Sequence, residues 1–395
     1  MNYDAYLSDR VKNLKASAIR EMFKLMADPE IISLAGGSPD PSLFKAEEFA
    51  DIARDILLNQ PSTALSYGTT DGYAPFKEQA LKRAEKVGSV RSGDKIIITT
   101  GEQQGIDLVL KSLVNDGELV AVEEPSFVGT LNSIRAHNGV LLPVSLEDDG
   151  INTDLFEQKL KKNKVKVLYT IPTFQNPSGI TMSLEKRKKL LELAEKYDFL
   201  IIEDNPYGDL RFKGESVPTI KSLDTTGRVI YCSSFSKILS PGMRLGYIVC
   251  GGELADRVEI AKQANDVHTP MLTQMIAAQY LEKYDIEDDI ARACELYGRK
   301  CDFMLSCMKK YFPKSVKWTH PEGGLFIMCT VPESVDVDAL LKECLKNKVA
   351  FVAGNSFMAD QDAKCNMFRL NYSTMSEEKI EKGIKALADV LNKVI

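Results

Sequence analysis

A chain of 395 residues can bury two or three cores, since a domain usually takes roughly 150 residues. Its 44% apolar and 27% charged residues are ordinary for a soluble globular protein. The net charge of -6 disfavours a nucleic-acid or anionic-membrane partner, because phosphate polyanions bind to basic surfaces. We interpret the basic runs KLKKNKVK and EKRKKLLELAEK as solvated helix faces, because their lysines alternate with a helical apolar stripe.

The start of the chain, MNYDAYLSDRVKNLKASAIREMF, carries charges throughout and lacks an apolar core, so we expect no secretory signal. No apolar stretch approaches the ~20 residues that a membrane span requires. The eight cysteines have no CxxC spacing, which favours reduced thiols and a cytoplasmic location over a disulfide or zinc framework. His137, His268 and His320 are widely separated, so we expect no metal site.

Between about residue 95 and residue 250, short β-rich runs alternate with helical patterns. KIIITTG predicts a buried strand, and EQQGIDLVLKSLVNDG predicts a helix with Ile106, Val109, Leu110 and Leu113 on one face. The runs that follow are the strands ELVAVEEP and VKVLYTIP, a helix opened by Ser183, and the strands FLIIEDNP, RVIYCSSF and LGYIVCG. This alternation predicts right-handed crossovers and a mostly parallel sheet between two helical layers.

The last third of the chain has a different pattern. A helix-rich stretch from about 271 to 312 precedes the strand candidates GGLFIMCTVP, VAFVAG and MFRLNYS, which alternate with two helical runs. In the terminal helix, Ile380, Ile384, Leu387 and Leu391 share a face. We expect a large domain over 46–285, a small α+β domain over 286–395, and an N-terminal arm over 1–45 that joins the small domain.

Chemically complementary groups follow the predicted strands. Asn176, Asp204 and Lys237 each come at or just after the end of a strand, and the turn TTGEQQG starts a helix at the same edge. Ligands of open parallel sheets bind beyond the carboxyl ends of the strands, and free N–H groups at a helix start favour a phosphate. We therefore expect a carboxylate, a lysine, an amide and an anion site to face one cavity.

Pyridoxal phosphate accounts for this set. A lysine amine condenses with its aldehyde, a carboxylate keeps its pyridine nitrogen protonated, and hydroxyls with an arginine neutralise its phosphate. The candidates are Lys237 for the aldehyde, Asp204 for the ring nitrogen, Ser234, Ser236 and Arg244 for the phosphate, Asn176 and Tyr207 for the phenolic oxygen, and Phe127 for stacking on the ring. Taken singly, each has an ordinary structural reading: a loop lysine is usually on the surface, and NPSG and Asp-Asn-Pro are usually turns.

The motifs ISLAGGSPDP, YGTTDGYAPFKEQ, EEPSFVGT, PTFQNPSG, EDNPYGDLRF, SSFSKILSPGMRLGY, EGGLFIMCTVP and FRLNYS run through nearly the whole chain. Together they resemble the aspartate-aminotransferase superfamily of pyridoxal-phosphate enzymes. The resemblance implies the α/β fold type I, with a mostly parallel seven-stranded sheet between helices and a smaller α+β domain. It also implies a homodimer acting on an amino acid and a 2-oxo acid.

The resemblance further implies roles for single residues. Lys237 is the Schiff-base lysine, Asp204 and Tyr207 complete the catalytic set, and Arg369 binds the substrate α-carboxylate. The implied cofactor-binding residues are Tyr67, Glu102, Gln103, Phe127, Asn176, Asp204, Tyr207, Ser234, Ser236, Lys237 and Arg244, with Tyr67 reaching the phosphate of the neighbouring subunit. The implied substrate-binding residues are Arg369, Asn176, Gly37 and Arg20. An exposed strand arginine is the alternative reading for Arg369.

Two positions depart from the family pattern, and one residue bears on specificity. Glu102 stands where a small hydroxyl residue often binds phosphate, so we expect only its backbone N–H to contribute, since an inward acid would repel the phosphate. Ala353 stands where the family commonly has a proline, directly before the glycine of VAFVAG. The spacing around Arg20 resembles the branch of 2-aminoadipate, kynurenine and other broad-specificity aminotransferases, in which an arginine there can meet a distal carboxylate. A solvated arginine is the alternative for Arg20.

Three functions remain open from the sequence. The first is a ping-pong aminotransferase in which Lys237 moves the substrate α-proton and 2-oxoglutarate is the acceptor. The second is a carbon–sulfur lyase or decarboxylase that uses the same cofactor. The third is a non-enzymatic ligand-binding protein; regulators of this fold carry an N-terminal DNA-binding domain, which we do not expect because the pattern begins near residue 17. The sequence contains no GxGxxG or GxxxxGK[ST] motif that would favour a nucleotide enzyme, and no GxSxG motif that would favour a hydrolase.

Overall fold

The protein is described by a computed structural model that covers Tyr3, residues 5–12, Leu14 and residues 30–395. The strands are β1 Ile32–Ser33, β2 Asp94–Thr100, β3 Leu119–Glu124, β4 Val140–Glu147, β5 Gly150–Ile151, β6 Val165–Thr170, β7 Leu200–Asp204, β8 Val229–Ser234, β9 Leu245–Gly251, β10 Lys317–Trp318, β11 Phe326–Thr330, β12 Val349–Ala350, β13 Val352–Ala353 and β14 Met367–Asn371. The helices of the described residues are α1 Asp9–Lys12, α2 Ala46–Asn59, α3 Pro61–Ala64, α4 Ala74–Lys86, α5 Glu102–Leu113, α6 Val128–Ala136, α7 Thr153–Leu160, α8 Leu184–Tyr197, α9 Ile220–Leu223, α10 Gly252–Gln263, α11 Met271–Lys283, α12 Ile286–Tyr311, α13 Val337–Lys346 and α14 Glu377–Val394.

The larger sheet has the strand order β2-β9-β8-β7-β6-β3-β4-β5. Strands β4, β3, β6, β7 and β8 pair in parallel, whereas β9 is antiparallel to both of its neighbours. The expectation of a mostly parallel sheet is therefore confirmed. The sheet has eight strands instead of seven, because the two-residue strand β5 turns back from β4 at the edge.

Alternating side chains of the central strands enter cores on opposite faces of the sheet. In β6, Val167 and Tyr169 pack with α5, α6 and α10, whereas Leu168 packs with α7 and α8. Helix α8 begins where the sequence predicted, since the Ser183 side chain caps it by accepting a hydrogen bond from the Lys186 N–H. Burial on both faces is what makes these strands read as continuous apolar runs.

One basic residue of the α8 run is not solvated. Arg187 is fully buried, and its guanidinium donates to the carbonyls of Met182, Pro172 and Pro218. The interpretation of this run as a solvated face is therefore wrong at Arg187. Its charge is accommodated because these backbone carbonyls accept hydrogen bonds from the guanidinium.

The smaller sheet has the order β10-β11-β14-β13, with all of its pairs antiparallel. Helix α14 packs its apolar stripe on this core, and Ile380, Ile384, Leu387 and Leu391 are all 0% exposed, as the spacing predicted. The run VAFVAG forms two short strands instead of one: β12 pairs with β1, and β13 pairs with β14. Among the described residues, none of the helices is both long and apolar enough to cross a bilayer.

Candidate active site

A cavity of about 260 Å³ lies beyond the carboxyl ends of β6, β7 and β8. The predicted site residues that line it are Gly37, Glu102, Gln103, Phe127, Asn176, Asp204, Tyr207, Ser234, Ser236, Lys237, Arg244 and Arg369. Tyr67 does not line it and is 88% exposed. Arg20 lies outside the described residues. The structure therefore brings together the residues that the strand-end argument grouped.

Asp204 is the last residue of β7 and is 2% exposed. One carboxylate oxygen, Oδ2, accepts a hydrogen bond from the Tyr169 hydroxyl on β6. The other oxygen, Oδ1, is buried and has no hydrogen-bond partner among the described residues. Burial raises the pKa of Asp204, and the contact with the Glu102 carboxyl and then the Tyr169 hydrogen bond oppose that rise. An unpaired buried carboxylate oxygen is suited to a cationic N–H donor.

Lys237 lies three residues after β8, and its Nζ donates to the Gly37 carbonyl at 2.8 Å. Nζ also lies 5.9 Å from the centre of the Tyr207 ring. Burial lowers the pKa of Lys237 to about 8, although the Glu102 carboxyl opposes this change. A usable fraction of this amine is therefore neutral near pH 7, which a nucleophile or a general base requires.

The other end of the cavity is suited to an anion. Helix α5 begins at Glu102, and its N-cap Gly101 has a φ of 77°, which favours glycine. A side chain at Gly101 would collide with the guanidinium of Arg244. That guanidinium has no carboxylate partner within the described part of the chain and donates only to carbonyls, at 3.3 and 3.4 Å. Ser234 and Ser236 add two buried hydroxyls.

Phe127 and Gln103 form the wall beside this anion end. Phe127 is the N-cap residue of α6, where the turn after β3 directs it to the cavity. Gln103 is in the first turn of α5, and its amide donates to the Ser133 hydroxyl at 3.1 Å. A flat aromatic wall beside the Lys237 amine is suited to stacking on a ring.

Arg369 on β14 is a buried cation without a counter-ion in the described chain. It is 2% exposed, and its Nη1 donates to the Asn176 Oδ1 at 2.8 Å. Its Nη2 donates to the carbonyls of Ala35 and Gly36 at 2.8 and 3.2 Å. Nε is buried without a partner, and burial lowers the pKa of Arg369 to about 10. A buried arginine in this state is suited to a carboxylate ligand.

Aromatic rings hold the Arg369 guanidinium in place. It lies 4.1 Å from the centre of the Phe326 ring and 5.1 Å from that of Phe357. Asn176 links it to the cofactor side of the cavity, because the Asn176 amide also donates to the Tyr207 hydroxyl at 3.4 Å. Burial raises the pKa of that hydroxyl, which therefore stays protonated and able to donate.

Glu102 departs from the sequence expectation. We expected its backbone N–H alone to contribute, with the side chain turned away. The structure turns the side chain inward, where it is 9% exposed and faces Asp204. Helix α5 packs on β2, β8 and β9, and the long side chain at its first position reaches Asp204 at the end of β7.

The sequence reasoning missed Tyr169, Phe326 and Phe357. Tyr169 could have been found, because parallel pairing of β6 with β7 places it next to the strand end that carries Asp204. Phe326 lies two residues after a Gly-Gly pair and opposes Asn371 across the small sheet. Phe357 comes from a 3₁₀ turn after β13, for which the sequence offered no signal.

These groups fit pyridoxal phosphate. The unpaired Asp204 Oδ1 lacks an N–H donor, the Arg244 end lacks an anion, and Lys237 has a nucleophilic amine between them. A phosphorylated pyridine aldehyde supplies all three partners.

Comparisons with known proteins agree with this chemistry. Residues 29–387 match the family described as aminotransferase class I and II. The chain is 41% identical to aromatic-amino-acid aminotransferase 1 of Thermococcus litoralis, over 99% of this chain and 95% of the relative. The kynurenine aminotransferase of Pyrococcus horikoshii superposes with a TM-score of 0.95 at 40% identity, over 99% and 98% of the two chains. The α-aminoadipate aminotransferase of Thermus thermophilus, complexed with N-(5'-phosphopyridoxyl)-L-leucine, gives a TM-score of 0.93 at 35% identity, over 100% and 99%.

The chain therefore belongs to the class I and II aminotransferases. It is an aminotransferase of fold type I that depends on pyridoxal phosphate.

Proposed function

We propose that the protein transfers the amino group of 2-aminoadipate, glutamate, and aromatic or branched-chain L-amino acids to a 2-oxo acid such as 2-oxoglutarate, with the α-carboxylate of each substrate bound by Arg369. The observation that carries this proposal is the buried Arg369 guanidinium, which has no carboxylate partner in the described chain and an unpaired Nε. The names of the relatives, which include aromatic-amino-acid, kynurenine and α-aminoadipate aminotransferases, support the substrate range.

The cavity residues divide the chemical work. Pyridoxal phosphate supplies an electron sink that makes the α-hydrogen of an attached amino acid acidic. With the cofactor bound, Lys237 Nζ would take that hydrogen as a proton and deliver it to the aldehyde-derived carbon of the cofactor, because its lowered pKa of about 8 leaves part of the amine neutral. Asp204 holds the proton on the ring nitrogen through its unpaired Oδ1.

Other side chains fix the cofactor and the substrate in orientation. We propose that Arg244, Ser234, Ser236 and the start of α5 hold the phosphate, and that Phe127 stacks on the ring beside Gln103. The Tyr207 hydroxyl and the Asn176 amide donate to the phenolic oxygen. Asn176 also contacts Arg369, so one side chain aligns the cofactor with the substrate carboxylate.

We further propose a homodimer in which Tyr67 completes the neighbouring site. Tyr67 is 88% exposed, and Leu58 and Leu65 nearby in the chain are 70% and 71% exposed. Apolar side chains grouped at a surface support an interface there.

The domain division proposed from the sequence is 1–45, 46–285 and 286–395. It is supported by the pairing of β1 with β12 and by the course of α12, which starts at the Asp285 cap. We place the enzyme in the cytoplasm, a proposal supported by its eight free cysteines.

The proposal is tested with a substrate panel. 2-Aminoadipate, leucine, phenylalanine and kynurenine are each assayed for 2-oxo acid formation with and without 2-oxoglutarate, and glutamate is assayed in the same way with a different 2-oxo acid as the acceptor. We expect turnover only with the acceptor; product formation without it indicates a lyase.

Lys237→Ala is expected to stay folded and lose turnover. If Arg20 meets a distal carboxylate, Arg20→Ala reduces activity on 2-aminoadipate far more than on leucine.

The role of Arg369 is tested by Arg369→Lys. We expect KM to rise roughly tenfold or more for every donor, because a lysine point charge cannot bind a carboxylate in two places. The matched control is Arg187→Lys, since Arg187 is equally buried but donates to carbonyls away from the cavity. An unchanged KM in a folded Arg369→Lys variant contradicts the assignment.

A further inference from the structure

Two carboxyl groups face each other in the Lys237 cavity, and each has an unpaired oxygen. Asp204 Oδ1 and Glu102 Oε1 are both buried without a hydrogen-bond partner among the described residues. The proposed function uses only Asp204. A second buried acid in the same cavity is costly to keep, because its charge is removed from water.

The position of Glu102 makes the contact specific. It is the first residue of α5, at the anion end of the cavity, yet its side chain is 9% exposed and directed to the strand end of β7. The side chain therefore crosses the cavity from the anion end to the carboxylate end.

The groups around Glu102 favour its uncharged form. The titratable groups that interact with it electrostatically are Asp204 on β7, Tyr169 on β6, Cys232 on β8, Tyr247 on β9, and Tyr207 and Lys237 on the loops after β7 and β8. Arg244 lines the same cavity. Burial and then the Asp204 carboxylate raise the pKa of Glu102 well above its ordinary value, against the opposing effects of Lys237 and of the Asn205 backbone N–H. Two carboxyl groups in such contact hold one proton between them.

We propose that Glu102 is a built-in competitor of the cofactor: in the cofactor-free enzyme its carboxyl group occupies the Asp204 contact that the ring nitrogen of pyridoxal phosphate requires. This inference rests on the proposed placement of the cofactor against Asp204. The protonated Glu102 carboxyl offers Asp204 one O–H donor, and the ring nitrogen offers one N–H donor. One face of Asp204 cannot accept both, so the Glu102 side chain must leave before the cofactor is held.

The test measures the affinity of cofactor-free enzyme for pyridoxamine 5'-phosphate by fluorescence titration. This probe has no aldehyde, so Lys237 does not react with it and binding stays reversible. Glu102→Ala removes the competing carboxyl, and we expect the Kd to fall roughly tenfold or more, the scale of a hydrogen bond to a charged group. Glu102→Gln keeps the reach and an N–H donor, so we expect its Kd to stay within about threefold of the unmodified enzyme.

The control variant is Glu253→Ala, which removes an exposed acid from the first turn of α10, away from the cavity. Its Kd is expected to equal that of the unmodified enzyme. An unchanged or weaker Kd in Glu102→Ala overturns the inference. So does a Glu102→Gln variant that binds as tightly as Glu102→Ala, because charge repulsion would then explain the effect without occupation of Asp204.

A second readout uses the cofactor-free protein alone. A raised carboxyl pKa means that the folded protein binds more protons than the unfolded chain, so the stability contributed by the pair is lost as pH rises above the ordinary carboxyl value. We expect the thermal midpoint of the unmodified protein to fall with rising pH more steeply than that of Glu102→Ala. If the thermal midpoints of the two proteins fall equally steeply with pH, Glu102 and Asp204 do not share a proton.

Failure of the inference is distinguishable from failure of the proposed site. Borohydride reduction in the presence of pyridoxal phosphate fixes the cofactor covalently to a lysine, which peptide mapping identifies. Label at Lys237 in every variant with unaltered Kd values overturns only the competitor role. Label on another residue overturns the proposed cofactor placement, and the inference with it.

Discussion

At the scale of single residues, the Tyr169 hydroxyl is one of the groups that set the environment of Asp204. Tyr169 is fully buried on β6, and its O–H donates to Asp204 Oδ2. This donor stabilises the charged carboxylate against the effect of burial, which raises the pKa of Asp204. With the cofactor placed against Asp204 as proposed, Tyr169 is a positioning residue, because it acts on the cofactor through Asp204.

Tyr169→Phe removes this donor and keeps the ring. We expect pyridoxamine phosphate to bind roughly tenfold to a hundredfold more weakly, since a hydrogen bond to a charged group is worth about 1.5–3 kcal/mol. The matched control is Tyr231→Phe, whose hydroxyl is equally buried but accepts from the Asn205 amide at 2.9 Å. Equal losses of affinity in both variants contradict a specific role for Tyr169.

The lowered pKa of Lys237 predicts a pH dependence. Only the neutral amine reacts with an aldehyde, so the rate at which cofactor-free enzyme captures pyridoxal phosphate should rise with pH and level off above about 8. Stopped-flow absorbance measures this rate, and Lys237→Ala provides the blank. A rate that still climbs tenfold per pH unit up to pH 10 would show that burial does not lower the pKa.

Membership of the site could be predicted from the sequence for residues that the strand topology alone brings to the cavity. Asn176, Asp204 and Lys237 follow strand ends, so the alternating pattern was enough to bring them to one cavity. The inward turn of Glu102 was not predictable, because it depends on where the start of α5 lies relative to the strand end that carries Asp204. Distances of that kind come from packing between elements, which periodicity does not encode.

At the scale of elements, α14 shows how an apolar stripe in the sequence stabilises the fold by being buried. Its apolar stripe packs on α12 and the small sheet, and Leu387 at its centre is 0% exposed. The stripe was predictable because a 3.6-residue period needs no tertiary information. The division of VAFVAG between two sheets was not, since β12 and β13 have the same apolar composition and differ only in partner.

Leu387→Ala should lower the free energy of unfolding by about 2–5 kcal/mol, because it leaves a cavity in a closed core. Urea denaturation of the cofactor-loaded enzyme measures the change. Val394→Ala on the same helix is the control, since Val394 is 47% exposed and its loss should cost no more than about 0.5 kcal/mol. Comparable losses from both variants would mean that α14 contributes little through its buried face.

At the scale of the whole molecule, the proposed dimer explains why Tyr67 lies outside the cavity. Its only aromatic neighbour in the described chain is His268, at 5.7 Å between ring centres. The sequence could associate Tyr67 with a phosphate only through the family resemblance. The sequence of one chain does not show which residues of a second subunit contact its surface.

Subunit mixing tests this arrangement. Lys237→Ala and Tyr67→Ala are each expected to be nearly inactive alone. A mixed dimer holds one site with Lys237 from one subunit and Tyr67 from the other, so mixing should restore activity to about a quarter of the unmodified level at equal, random pairing. No recovery in a mixture that forms mixed dimers places Tyr67 in the site of its own subunit.

The short segment from Ala35 to Gly37 has a mechanical consequence for the reaction. Its first two carbonyls accept from Arg369, and the third accepts from Lys237 Nζ. The same segment continues from β1, which is held by β12. The proposed substrate-binding cation and the proposed proton-transferring amine therefore share one three-residue segment, so a displacement of this segment would move the hydrogen-bond acceptors of both.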